Sequence, residues 1–124
     1  MRQPLIVRQS GSTNEGTAVD IVAPIVKPEQ LCVVKGLAIA NESGEQISAA
    51  FGILEMGEFT RVGAQVNVND SDCYSSTAYL ILREGEQLSC RVTGSANVGK
   101  VVLVASGEIC DWSEWVALAQ QAAQ

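Results

Sequence analysis

The chain has 124 residues, a length that fits one domain able to bury about two thirds of its unfolded surface without disulfides or metals. Its 14 Asp and Glu outnumber its 8 Lys and Arg, and the resulting net charge of −6 repels the backbone of nucleic acids. Because the basic residues are also scattered rather than clustered, the sequence argues against DNA or RNA as a partner.

The residues that usually carry enzymatic chemistry are scarce. Histidine is absent, which removes the ordinary general base of a serine nucleophile, and the four cysteines show no CxxC spacing of the kind that binds structural zinc. Acidic pairs such as Asp70 and Asp72 fall in predicted turns, where carboxylates usually solvate the backbone, and this pair lacks the full calcium-loop pattern. The sequence therefore predicts a protein that is not an enzyme, with no catalytic, cofactor-binding or metal-binding residues and no cofactor.

The start of the chain combines a short apolar run with a polar, glycine-bearing stretch. Residues 4–8 favour a short strand, whereas residues 10–16 offer no side chain for packing. We therefore expect residues 1–16 to form an extended N-terminal arm. The start lacks the basic-then-apolar pattern of a secretory signal, and no run approaches about 18 apolar residues. The expectation is a soluble protein that is made in the cytoplasm and does not contact a membrane.

Apolar and polar side chains alternate through most of residues 17–110. Alternation is clearest where Leu88, Cys90 and Val92 are separated by polar residues, a pattern typical of a strand with one buried face. Residues 31–40 are almost continuously apolar, which is typical of a strand covered on both faces. Roughly eight strands joined by polar turns predict an all-β domain, an antiparallel β-sandwich resembling a jelly roll. The predicted strands are 4–8, 17–23, 31–40, 46–55, 59–68, 73–82, 87–93 and 100–109.

The end of the chain, residues 111–124, follows a helical period instead. Asp111 and Glu114 have the spacing of a capping box, and the apolar positions that follow recur every three or four residues. This predicts a short amphipathic helix of about three turns, which is not stable alone in water and must dock on another surface. Two interpretations stay open: Trp112 and Trp115 close the end of the sandwich, or they anchor a neighbouring subunit.

Three blocks of the chain within residues 17–110 share a recognisable spacing of leucine, asparagine and glycine. They comprise Leu37, Ile39 and Asn41, then Leu80, Leu82, Gly85, Glu86 and Leu88 in the pattern L-x-L-x-x-G-E-x-L, and finally Val102, Val104, Gly107 and Ile109. With this spacing the chain resembles small β-sandwich structural proteins of tailed bacteriophage virions. The resemblance implies a non-catalytic protein of the virion, made in the host cytoplasm, whose partners are the major capsid protein or other virion proteins.

Within that family, the resemblance implies a capsid cement or decoration protein that bridges neighbouring subunits of the head shell, as a homo-oligomer and specifically a trimer. A neck, tail or baseplate component is the alternative in the same setting. A carbohydrate-binding attachment module is the alternative of another class, although two Trp, two Tyr and two Phe are few for an aromatic binding platform. The residues expected at an interface are Leu5, Ile6, Val7, Trp112, Trp115 and Leu118.

Overall fold

Nine β-strands and one helix form the regular structure of residues 2–94 and 99–122, the part of the chain that the computed structural model describes. The side chains of Leu118, Ala119 and Ala122 lie outside that description. The predicted all-β class with one short C-terminal helix is confirmed. The elements are β1 (Gln3–Ser12), β2 (Val19–Val22), β3 (Gln30–Glu42), β4 (Ile47–Glu55), β5 (Glu58–Arg61), β6 (Val66–Val68), β7 (Asp72–Leu82), β8 (Glu86–Thr93), β9 (Lys100–Asp111) and α1 (Trp112–Ala122).

The strands form two antiparallel sheets that enclose the core. The four-stranded sheet has the order β1-β9-β3-β7, and the five-stranded sheet has the order β2-β8-β4-β5, with β6 also paired to β4. The chain passes to the opposite sheet at most of its connections, so strands that follow one another in sequence are seldom neighbours in a sheet. This arrangement is that of a jelly roll, and the predicted sandwich is confirmed.

Small and β-branched side chains fill the space between the sheets. The central strand β9 contributes Val101, Leu103 and Ala105, each at most 1% exposed, and β4 of the opposite sheet contributes Ala49 and Phe51. Because side chains alternate along a strand, one face of each sheet builds this core and the other faces outward. The core therefore needs both sheets, and the fold positions two outer faces and two ends of the sandwich for contact with other molecules.

The predicted N-terminal arm, residues 1–16, contributes an edge strand of the sandwich. β1 pairs with β9 over its whole length, from Gln3 opposite Ile109 to Ser12 opposite Lys100. The sequence pattern revealed only residues 4–8 of this strand, because its inward positions after Val7 carry no large apolar side chain. In the structure, therefore, the described part of the segment is held by a ladder of backbone hydrogen bonds and is not a free arm.

The predicted strand 59–68 is two strands in the structure. β5 and β6 both pair with β4, and the chain leaves the sheet between them at Gly63, whose φ of 91° lies in the left-handed region that favours glycine. The apolar alternation continues across this break, so periodicity alone does not reveal it.

Helix α1 packs on the outer face of the four-stranded sheet, where it contacts β9 and β3. Leu31 and Val33 of β3 and Cys110 of β9 point to that face and are nevertheless buried, which matches the prediction that part of β3 is covered on both faces. The helix begins where the Trp112 backbone N–H donates to the Glu29 carbonyl, at 2.9 Å. Within the described residues, no helix has the length and apolar character needed to cross a membrane.

Candidate interface

One end of the sandwich, which we call the closed end, is organised by a buried asparagine. Asn41 is 0% exposed at the end of β3, and its side-chain amide donates to the carbonyls of Glu45, at 2.6 Å, and Val68, at 2.9 Å. Its side-chain oxygen accepts from the backbone N–H of Ser43, at 3.0 Å, and from the Ser43 hydroxyl, at 2.6 Å. One side chain thus ties the loop after β3 to the end of β6 and leaves none of its own polar atoms unpaired.

Further hydrogen bonds close the same end. The backbone N–H of Gly44 donates to the Asp70 carboxylate at 2.8 Å, so this carboxylate caps a neighbouring loop, as expected of an acidic residue in a turn. Thr13, 2% exposed, accepts at its hydroxyl from the Gly99 N–H, at 3.1 Å, and its own N–H donates to the Gly99 carbonyl, at 2.7 Å. These bonds connect the segments that follow β1 and precede β9, and they stabilise the fold.

The opposite end, which we call the open end, contains a cleft of about 1070 Å³ between four separate segments. Its walls come from the segment before β3, the β4–β5 turn, the β7–β8 turn and the start of α1. The residues that matter for its chemistry are Glu29, Glu55, Met56, Arg83, Glu84 and Trp112.

Two large apolar side chains are exposed at the open end. Met56 is 98% exposed and Trp112 is 48% exposed. Met56 and Gly57 are the two central residues of the β4–β5 hairpin, where both have positive φ, 51° and 81°. Turns of this kind favour Asn-Gly, so methionine is a poor choice for the stability of the turn. An exposed apolar side chain on unfavourable backbone is a feature that stability does not explain.

Acidic groups surround these apolar side chains. Glu29 also has positive φ, 63°, and its N–H donates to the Glu84 carboxylate at 3.3 Å, which links two walls of the cleft. Arg83 is the basic residue of the cleft, and its Nε lies 3.7 Å from the carboxylate of Glu86. The cleft therefore combines apolar anchors with an excess of negative charge, a surface suited to a partner with basic and apolar groups.

The outer face of the four-stranded sheet has a different character, because the groove on it is lined by uncharged residues. A shallow groove of about 400 Å³ runs along it between β3, β7 and β9 and is lined by small residues. Exposed apolar side chains flank the groove at Ile6 of β1 and Tyr79 of β7, which are 80% and 64% exposed. The lining residues include Gly36, Ala38, Ser75, Thr77, Val104 and Ser106.

The residues predicted at an interface differ in how exposed they are in the structure. Ile6 and Trp112 are exposed, whereas Leu5 packs against the core and Val7, 6% exposed, belongs to it, because both point inward from β1. Val7 is therefore closed to a partner, whereas Leu5 is partly buried and stabilises the sandwich. Trp115 is half-buried on α1. The side chain of Leu118 lies outside the described residues.

Sequence reasoning missed the cleft, since its walls come from segments that are distant along the chain. Met56 was the available signal, because an apolar residue at the tip of a predicted turn has no packing role.

The cysteines are free thiols with different surroundings. Cys73 is exposed, whereas Cys32, Cys90 and Cys110 are buried. Burial raises the pKa of the Cys90 thiol to about 12. Burial also raises the pKa of the Cys32 thiol, and the neighbouring Cys110 raises it further. Among the residues described, no three His, Cys, Asp or Glu side chains come together in a group that could hold a metal ion.

No family model and no curated protein matches the sequence. Solved structures with a similar fold include PirA, at 9% identity and a TM-score of 0.55 over 79% of this chain and 92% of that one. A protein of Bacillus endospore appendages, which are disulfide-linked pili, is 12% identical with a TM-score of 0.50 over 90% and 87%. The coat protein of Tobacco streak virus is 11% identical with a TM-score of 0.49 over 87% and 85%. For PirA and the endospore-appendage protein, the likeness at these identities shows a shared fold alone.

Proposed function

We propose that this protein is a structural component of a virion, specifically a capsid cement or decoration protein that binds the head shell and bridges its subunits. The observation that carries the proposal is the open end, where Met56 and Trp112 are exposed beside a cleft. Aromatic and methionine side chains that are exposed in the free protein are the usual anchors of protein interfaces. The sequence resemblance to phage structural proteins supplies the kind of partner.

The charge of the open end supports a contact with the shell through basic groups. Glu29, Glu55 and Glu84 lie around the apolar anchors, so a basic segment of the major capsid protein would meet both attraction and apolar contact there. The chain's own net charge of −6 steers it towards a basic site on the shell.

The resemblance also implies self-association, and a trimer at threefold positions of the shell is the arrangement we propose. The groove on the outer face of the four-stranded sheet is lined by uncharged residues, so copies can meet there without repulsion. A cement protein with several contacts adds stability because each copy links subunits that would otherwise separate.

The test is the copy number of the chain on purified particles. We expect the chain in a fixed, high ratio to the major capsid protein, and we expect particles without it to lose their contents at lower temperature. Particles that lack the chain, or that keep full heat resistance when its gene is deleted, contradict the proposal. A few copies at one vertex, seen by electron microscopy, would instead support a neck, tail or baseplate component.

A carbohydrate-binding attachment module is the competing class. Its binding site would need aromatic rings on one exposed face, but exposed Tyr79 lies on β7 and Trp112 begins α1. Binding of the isolated chain to a glycan array, in the absence of binding to shells, would favour that class.

A further inference from the structure

The free edge of β7 differs from the other sheet edges in having no protection against pairing. Edge strands in proteins are usually short or interrupted by charge or proline, because their unpaired backbone groups otherwise recruit another strand. β2 and β5 have four residues each, and β1 carries Pro4 and Arg8. β7 has 11 residues and pairs only with β3 among the described strands, and its one charged residue, Asp72, is at its first position.

Exposed apolar side chains are concentrated on this strand. Tyr74, Tyr79 and Ile81 are 37%, 64% and 37% exposed, and no other strand or helix carries as many of the large exposed apolar residues described. The exposure alternates regularly from residue 76 to residue 82, although the register with β3 shifts beside Thr77, where two residues of β7 lie opposite Lys35 alone. A long uncharged edge with apolar side chains is a template for strand addition.

We propose that β7 pairs, antiparallel, with β7 of a second copy of this chain, around a twofold axis at Thr77. Thr77 is the middle residue of Asp72–Leu82, so this register uses the whole strand. Outward residues then face outward residues: Thr77 lies opposite its own copy, Ser75 opposite Tyr79, and Cys73 opposite Ile81. The two four-stranded sheets become one sheet of eight strands.

The sequence of β7 fits a second copy better than it fits an unrelated strand. In this register the two Asp72 carboxylates lie at opposite ends of the ladder, about 33 Å apart and well beyond the screening length of about 8 Å at physiological salt. No like charges therefore oppose each other within the ladder, and each Tyr79 covers the small Ser75 of the other copy. The outer faces join across the axis, and the small-residue groove beside Ser75 and Thr77 becomes continuous with its copy.

The pairing concerns the isolated protein and does not depend on binding to particles. It uses the edge of β7, whereas the proposed shell contact uses the open end. A subunit of a shell can use such a twofold contact together with a threefold contact on another surface.

A cysteine cross-link tests the register. In a Cys73→Ser background, Thr77→Cys places two thiols directly opposite each other, at the Cα separation of about 4.5 to 5.5 Å that a disulfide accepts. Ser75→Cys is the matched control, since its copies would lie about 13 Å apart along the ladder. Both positions are exposed, and the remaining cysteines are buried. We expect mild oxidation to convert Thr77→Cys, but not Ser75→Cys, to a covalent dimer. Equal cross-linking of the two variants, or none in either, overturns the proposal.

A charge tests the pairing in the protein without added cysteines. Thr77→Lys brings two ammonium groups face to face across the axis and should weaken self-association about tenfold or more, measured by sedimentation. Ser10→Lys adds the same charge to an exposed position on β1, the opposite edge of the same sheet, and should leave self-association unchanged. An unchanged mass for Thr77→Lys, in a variant with an intact β spectrum, contradicts the proposal.

Discussion

The closed end and the open end of the sandwich differ in which side chains they bury and which they expose. At the closed end, Asn41 is buried and every polar atom of its side chain is hydrogen-bonded within the chain. At the open end, Met56 and Trp112 are exposed, and Glu29 and Met56 adopt backbone conformations that non-glycine residues disfavour. The comparison teaches that one end stabilises the fold, while the other holds features that the fold alone does not require. Substitutions at the two ends should therefore separate stability from binding.

The largest effect on stability is expected from Asn41→Leu at the closed end. The substitution removes the hydrogen bonds that Asn41 makes with the Val68 carbonyl and the Ser43 N–H, and it leaves the Glu45 carbonyl with the Ser43 hydroxyl, at 3.0 Å. We expect the free energy of unfolding to fall by about 3 kcal/mol, measured by urea denaturation. Ser43→Ala is the control, since it removes only the hydroxyl and should cost about 1 kcal/mol. A loss below 1 kcal/mol for Asn41→Leu would show that the closed end is not held by this side chain.

Thr13→Val should have the next largest effect at the same end. Valine keeps the shape of the side chain but cannot accept the hydrogen bond from the Gly99 N–H. We expect unfolding to become easier by about 1 to 2 kcal/mol. The same substitution at exposed Thr60 should change stability by less than about 0.5 kcal/mol. Equal effects at the two positions would contradict the assignment of Thr13 to a buried structural bond.

At the open end, Met56→Asn should raise stability while it weakens binding. Asparagine tolerates the left-handed backbone of the β4–β5 turn, so the free energy of unfolding should increase by about 1 kcal/mol. The same variant loses an apolar anchor and should bind particles less tightly. Met56→Leu is the control, because it keeps an apolar side chain and the strained turn. If Met56→Asn instead lowers the free energy of unfolding, Met56 stabilises the fold, and the argument that it is a contact residue fails.

Alkylation of Cys73 should have the smallest effect. This thiol is exposed, whereas Cys90 needs a pH near its raised pKa of about 12 to ionise. At pH 8, we expect the folded protein to be modified at Cys73 alone, with a change in stability below about 0.5 kcal/mol. Modification of Cys90 at this pH, detected by peptide mapping, would show that the core opens more readily than its packing indicates. Folding raises the pKa of Cys90 above its ordinary value of about 9. The free energy of unfolding should therefore fall as the pH rises above about 9.

Most of the sandwich could be predicted from the sequence because apolar side chains mark the inward positions of many strands and polar side chains mark the outward positions. Leu88, Cys90 and Val92 alternate with polar residues, and β8 lies where that alternation places it. Two errors have a common cause, since periodicity reports side chains and not the backbone. β1 continues beyond Arg8 with Gln9 and Gly11 on its inward face, and the strand bends away at Gly63 although the apolar pattern persists.

The candidate site was less predictable than the fold. The helix follows from the terminal pattern, but that pattern left open whether Trp112 is buried or exposed, and the cleft requires four segments to meet at one end. The edge position of β7 depends on strand order, which a jelly roll determines through long-range pairing that no local pattern encodes. Contact surfaces that arise from topology are visible only once the strands are placed.

The most direct test of the account is the binding of a Met56→Ala, Trp112→Ala double variant to particles that lack the chain. Met56 is 98% exposed and Trp112 is 48% exposed, so the variant should stay folded, with a modest loss of stability from the buried half of Trp112. Its dissociation constant for the particles should nevertheless rise about a hundredfold, as expected for the loss of two interface anchors. Binding as tight as that of the intact protein, by a variant that is fully folded, would contradict the claim that the open end is the contact surface.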